Sequence, residues 1–181
     1  MYNLRKMFVM LSLGFGSGLP YILLISTTSA WLRDAGVELS LIGFFAWITF
    51  AYTIKFIWAP LVDRFSVPYF ARYGHRKSWI ALMQIIIISA LLLLSNIDPI
   101  QSFLLFCIIA GLIAFAGSFQ DIAIDAFRIE YAHISDQGNL AAAYQLGYRL
   151  AIIAATSLAL IFADSNGWSM TYKFLAVLMC F

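Results

Sequence analysis

Apolar residues along this chain come in long unbroken runs, neither alternating as in a half-buried strand nor spaced as on a water-facing helix. Five long runs and a short one follow each other, at about 7–32, 41–62, 78–97, 102–127, 140–163 and 169–181. A helix needs roughly 20 residues to cross a hydrocarbon core of about 30 Å, and the first five runs supply them. The sixth, only residues 169–181, would give roughly 20 Å of helix at 1.5 Å per residue. The pattern predicts an all-α membrane protein, a polytopic transmembrane helix bundle over 1–181 with no soluble domain, whose chain stops inside its sixth span. Arg5 and Lys6 precede the first run as in a signal peptide. That run is too long for a signal h-region and lacks a clear small-residue cleavage site, so it is expected to stay as a helix.

Composition supports the membrane assignment. The chain is 63% hydrophobic and 11% charged, with a mean hydropathy of +0.90; soluble domains run nearer 45–50% and 25%. A net charge of +2 is too small to suggest a nucleic-acid partner. Cys107 and Cys180 stand alone in apolar runs, which points to packing rather than a disulfide, a metal site or a cofactor. His75 and His133 fall in loops and no HExxH or GxSxG occurs, so no catalytic residues and no enzyme are expected. Nothing resembles a channel filter either.

Charge position sets the orientation. Arg5, Lys6, Arg64, Arg72, Arg76, Lys77 and Arg128 fall in the N-terminus and the even connections, against Arg33 alone in the odd ones. The N-terminus is therefore predicted on the cytoplasmic side. Trp31 and Trp168 are expected in an outer aromatic belt, Trp58 and Trp79 in an inner one. Most connections are short and turn-like: RDAGVELS, NIDPIQ, HISDQGN and ADSNGW. The exception is DRFSVPYFARYGHRK, residues 63–77. It reads either as a basic anchor or as a cytoplasmic gate, with Asp63 and Arg64 closing one helix and Arg76 and Lys77 opening the next.

Inside the fourth run the stretch GSFQDIAIDAFR keeps two carboxylates, Asp121 and Asp125, where a bilayer penalises each by a few kcal/mol. Positions four apart share a helix face, so Gly117, Asp121 and Asp125 form one stripe, flanked by Gln120. Span five carries Gln145 and Arg149, with Thr156 beyond, and span two carries Lys55 between Tyr52 and Trp58. Counted from the cytoplasmic ends, Asp121 lies roughly 9 Å deep, Lys55 roughly 10 Å, Arg149 roughly 13 Å and Asp125 roughly 3 Å. These groups can compensate each other, and they should face the bundle interior or a wet cavity. One reading is a structural ion-pair network. The other makes a carboxylate, Asp121 or Asp125, the coupling proton site, with Lys55 or Arg149 as substrate contact or charge partner. Gln120, Gln145 and Tyr148 are then candidates for sugar or amide hydrogen bonds. In GFGSGLP, Gly14 and Gly18, and Ser12 and Gly16, allow close backbone approach on two faces, and Pro20 predicts a bend. A faint internal echo sets Tyr52 and Lys55 of span two against Tyr148 and Arg149 of span five, as if three-helix units repeated.

Taken in order, GFGSGLPYILL, AWLRDAG, IGFFAWITFAYTIKFIWAPLVDR, SFQDIAIDAFR and AAAYQLGYRLAII resemble the AmpG-type muropeptide permeases of the major facilitator superfamily. Related acetyl-coenzyme A transporters share the QDIAIDA-like element. The resemblance covers nearly the whole chain and implies proton-driven import of anhydromuropeptides, glycopeptides from cell-wall turnover, across the bacterial inner membrane. It also implies a fold of at least twelve helices in two halves, of which this chain would be the N-terminal six. Asp63, Arg64, Gly74, Arg76 and Lys77 look like a stretched form of the superfamily's cytoplasmic signature, and the arginine-rich helix-four signature of many proton-coupled members is absent. Transport would require the missing C-terminal half, from a longer gene or a second polypeptide. The alternatives are a non-transporting subunit or remnant, and a carrier for another anionic solute such as an acyl-coenzyme A.

Overall fold

The computed structural model describes residues 4–65, 67, 74–131, 133 and 136–180. Part of the 63–77 connection, including Arg72, and part of HISDQGN lie outside the described residues. Among the described residues there is no strand, and five helical stretches are long and apolar enough to cross a membrane. We label them α1 (Leu4–Asp34), α2 (39–64), α3 (His75–Leu94), α4 (Phe103–Tyr131) and a stretch Gln137–Leu178 that Gly167 divides into α5 (137–166) and α6 (168–178).

Local sequence explains where these helices bend. In α1, Pro20 cannot donate to the carbonyl of Gly16, and the next turn, Leu23–Thr27, widens to π-helical form. α5 has a matching π-turn at Ala154–Leu158, and the Thr27 hydroxyl donates across to the Ala155 carbonyl. The turn before α3 needs Gly74 at φ 102°. Between α5 and α6 the expected ADSNGW loop is not observed. Helix runs up to Gly167, whose φ of 78° breaks it at a single residue, a conformation that glycine enters without steric cost. α2 is the least regular, with 3₁₀ turns at Ala46–Thr49 and Lys55–Ile57.

α1 and α5 form the tightest pair. Gly14 lies against the backbone carbonyl of Tyr144, and Gly147 reciprocally against that of Leu11. α3 and α4 pack through Met83, Ile87, Leu91, Ile109 and Ile113. The C-terminal end of α1 and the N-terminal end of α6 meet in an aromatic cluster. Trp31 stacks on Trp168 at 6.1 Å, lies 4.7 Å from Tyr172, and is buried rather than placed in an interfacial belt. Beneath it the Thr28 and Tyr172 hydroxyls share a 2.7 Å hydrogen bond, both residues fully buried. Tyr172→Phe removes this bond and leaves the Thr28 hydroxyl only its donation to the Leu23 carbonyl at 3.1 Å; it is expected to cost about 1 kcal/mol, read as a lower midpoint of detergent-induced unfolding.

Candidate functional site: a charged cluster between α2 and α4

The stripe anticipated on α4 faces α2. Gly117 leaves room for the Tyr52 hydroxyl, and Lys55 reaches both carboxylates one and two turns further on. Its ammonium is paired with Asp121 Oδ2 and lies 3.5 Å from Asp125 Oδ2. The other oxygen of Asp121 accepts from Ser17 of α1, whose hydroxyl in turn accepts from Tyr144 of α5 at 2.9 Å. Asp125 Oδ1 lies 3.6 Å from the Arg128 guanidinium, and that guanidinium sits 5.0 Å from the centre of the Tyr144 ring. The result is a closed circuit over four helices: Tyr144, Ser17, Asp121, Lys55, Asp125, Arg128 and back to Tyr144. Each oxygen of Asp121 thus accepts one hydrogen bond, one from Ser17 and one from Lys55.

A cavity of about 210 Å³ opens beside Asp121, lined by Ser17, Tyr21, Tyr52, Thr53, Lys55, Asp121 and Tyr148. Its wall is aromatic hydroxyl plus one ion pair. The buried Tyr52 hydroxyl has no hydrogen-bond partner. An orphaned buried hydroxyl costs free energy, which leaves it disposed to bond a ligand. A methyl group at Gly117 would collide with that hydroxyl. Gly117→Ala is therefore expected to destabilise the bundle, Tyr52→Phe to be neutral or stabilising by about 1 kcal/mol, and the double variant to recover most of the glycine's loss; unfolding midpoints of the three check this.

The other anticipated residues divide. Tyr148 joins the cavity, and Ala substitution-sized space at Gly18 is filled by its ring. Gln145 and Arg149 are exposed on α5, and among the described residues Arg149 makes no ion pair. Gln120 points to a different side of α4, where its amide donates to Gln84 and Gln84 donates to the Met179 carbonyl. That side holds a separate cavity of about 360 Å³ with Lys77 at one end and Ser12 and Gly16 along it. At the other helix ends, Arg76 bonds Asp63 at 2.6 Å and Glu130 at 3.1 Å, tying α2, α3 and α4. Arg64 is exposed outside that cluster, and Lys77 lies 5.8 Å from the Phe127 ring centre. Sequence reasoning missed Ser17, Tyr144, Gln84 and Glu130. Ser17 sits in the GFGSGLP stretch singled out for its glycines, and a small hydroxyl amid glycines was the available signal.

The echo between spans two and five has a structural counterpart. Tyr148 of α5 stands against Gly18 of α1 as Tyr52 of α2 stands against Gly117 of α4. The two helix pairs repeat one contact, but only α4 places carboxylates next to it.

A multi-pass helix bundle with an ion-paired, hydroxyl-lined cavity inside the membrane span has the character of a solute carrier. Residues 6–106 match the family model described as acetyl-coenzyme A transporter 1, and the chain belongs to that transporter family. It is 36% identical over 172 residues to an anhydromuropeptide permease of Escherichia coli, covering 94% of this chain and 34% of the relative. It is 34% identical over 179 residues to a Rickettsia conorii protein assigned as transporter AmpG 4, covering 98% of this chain and 42% of the relative. The similarity to AmpG-type permeases thus extends along nearly the whole chain, while the chain spans between a third and a half of the length of these relatives.

Proposed function

We propose that the chain is the N-terminal half of a proton-driven permease that imports anhydromuropeptides across the bacterial inner membrane, with its N-terminus cytoplasmic. It acts as a carrier, not an enzyme, and works with a second helical half. The observation that carries this is Asp121, held between Ser17 and Lys55 on the wall of the α2–α4 cavity. A carboxylate at that position can take a proton in exchange for a hydrogen-bond partner, and the hydroxyls around it suit a sugar or peptide amide. Tyr148 and Tyr52 are the substrate contacts within this half, and Asp125 shares the charge. Gln145 and Arg149 face outward from α5, towards where a second half would close the cavity. Asp63, Arg64, Arg76 and Lys77 would make up the cytoplasmic gate, a reading supported by the bonds of Arg76 to Asp63 and Glu130.

The test is uptake of labelled anhydromuropeptide into cells lacking their own permease, with this chain alone and with the C-terminal half of a full-length relative. Uptake is expected only with the partner, and Asp121→Asn is expected to remove its dependence on the proton gradient. Uptake that Asp121→Asn leaves proton-driven overturns the reading. The family match favours acetyl-coenzyme A as a second candidate; competition by unlabelled acetyl-coenzyme A in the same assay separates the two.

A further inference from the structure

We propose that the middle of α2 is a strap held to α4 by a charged latch, and that neutralising Asp121 releases Lys55 and lets the strap lift away. α2 is pinned at two points, Phe45 and Val62, both buried. Between them, from residue 46 to 61, not one residue is buried. Ile48, Ala51, Tyr52 and Trp58 pack half-buried against the core, and the specific ties to α4 are the unpartnered Tyr52 hydroxyl over Gly117, Lys55 on the two aspartates, and Trp58. The indole of Trp58 donates to the Ser118 hydroxyl at 3.1 Å and stacks on Phe119 at 5.9 Å. The repeated partner of this arrangement, α5 on α1, is fixed instead by backbone-to-glycine contact at Gly14 and Gly147. Of two equivalent helices, only α2 is attached by side chains that can let go.

Its backbone is prepared for movement. Lys55 opens a 3₁₀ turn immediately after Ile54, whose φ and ψ of −94° and 13° are non-helical, and a second 3₁₀ turn covers Ala46–Thr49. Short 3₁₀ pieces within a helix mark places where it hinges. Lifting the strap strands no hydrogen bond at Tyr52, because that hydroxyl has none to lose. Asp125 holds Lys55 only at 3.5 Å and divides its charge with Arg128 at 3.6 Å, so the closer pairing, with Asp121, is the one whose loss loosens Lys55. The remaining groups about Asp121 are Ser17 and Tyr21 from α1, Tyr52 from α2 and Tyr144 and Tyr148 from α5. Arg149 stands next to Tyr148 on α5 and pairs with neither aspartate. Lys55 is thus the latch's cation, and Asp121 the anion whose charge it answers. The inference rests on the reading of Asp121 as the proton-accepting group.

Trp58 is a built-in reporter. The chain, labelled with 5-fluorotryptophan and placed in lipid nanodiscs, gives five indole signals, one for each of its five tryptophans, assigned by single Trp→Phe variants. On acidification the Trp58 signal is expected to pass to a second position. The ratio of the two should change roughly tenfold per pH unit through the transition, as control by one proton requires. Asp121→Asn and Lys55→Gln are expected to show the second position at neutral pH, with no further pH response. Trp31 and Trp168, in the distant α1–α6 stack, should not move, which shows that the bundle is intact. If Asp121→Asn disturbs that pair, Lys55→Gln decides. A Trp58 signal that stays in its neutral-pH wild-type position in either intact variant overturns the latch, whatever the uptake assay gives. A shifted Trp58 without proton-driven uptake sinks the transport reading and leaves the latch standing.

Discussion

Replacing Gly147 with leucine is expected to abolish the folded bundle. A Cβ there would fall on the carbonyl oxygen of Leu11 and 3.0 Å from the amide nitrogen of Phe15. Both are helical backbone atoms, so no rotamer change relieves the clash. Overpacking of yielding side chains typically costs about 1–3 kcal/mol; here α1 and α5 would have to separate along the contact that also carries Gly14 against Tyr144. Separation would in turn pull Ser17 from Tyr144 and open the charged circuit at its first link. Size-exclusion chromatography in mild detergent should show aggregate in place of a monodisperse peak. Gly111→Leu is the control, because a Cβ at Gly111 meets nothing within 4 Å, and it should elute as the parent does. Equal behaviour of the two variants would refute the close approach of α1 and α5.

The second large effect is expected at the ion pair. Asp121→Ala removes the partner of both Ser17 and Lys55, and Lys55→Met removes the counter-charge of two carboxylates. Each single change leaves charge uncompensated in a partly buried site, with side-chain exposures of 17% for Asp121 and 35% for Lys55. The double variant leaves less charge stranded than the two singles combined. The unfolding free energies should therefore be non-additive, with a coupling of about 1–3 kcal/mol between the two positions. Partial exposure holds the figure well below that of a fully buried pair. Additive losses would mean that the two groups are merely neighbours. Lys55→Arg is a useful companion, since a guanidinium can address both aspartates at once and should keep much of the coupling.

Much of this site could be read before any fold was known. The helical repeat places Gly117, Asp121 and Asp125 on one face, and the cost of charge in hydrocarbon requires that face to look inward. Both statements follow from local geometry and solvation, and the structure agrees with both. The depth count brought Lys55 level with Asp121, and the two are paired. It brought Arg149 nearly level too, yet Arg149 lies on an exposed face of α5. Depth fixes one coordinate along the membrane normal, whereas pairing depends on which way each helix is turned. The same blindness explains Gln120. It is adjacent to Asp121 in sequence, but about 100° further round the helix, and so it belongs to Gln84 and a different cavity.

The boundaries show a similar division. The apolar runs overlap the five helical stretches that are long and apolar enough to cross a membrane among the described residues, because hydropathy is a property of composition. The polar residues between α5 and α6 predict a loop, yet only Gly167 departs from helical geometry there. Aspartate, serine and asparagine can remain in a helix exposed to water, and here the Ser165 hydroxyl and the Asn166 amide donate to carbonyls in the preceding turn.

What the sequence by itself determined is therefore the class of protein, the approximate spans, the inward stripe on α4 and the glycine-rich closeness of α1. Each depends on interactions within one helix or between a helix and its solvent. Only the tertiary structure decided that α5 is the helix meeting α1, that Ser17 and Tyr144 complete the circuit, and that Lys55 rather than Arg149 answers Asp121. Those outcomes depend on the rotation and neighbours of each helix, which are set jointly by the close contacts of the whole bundle.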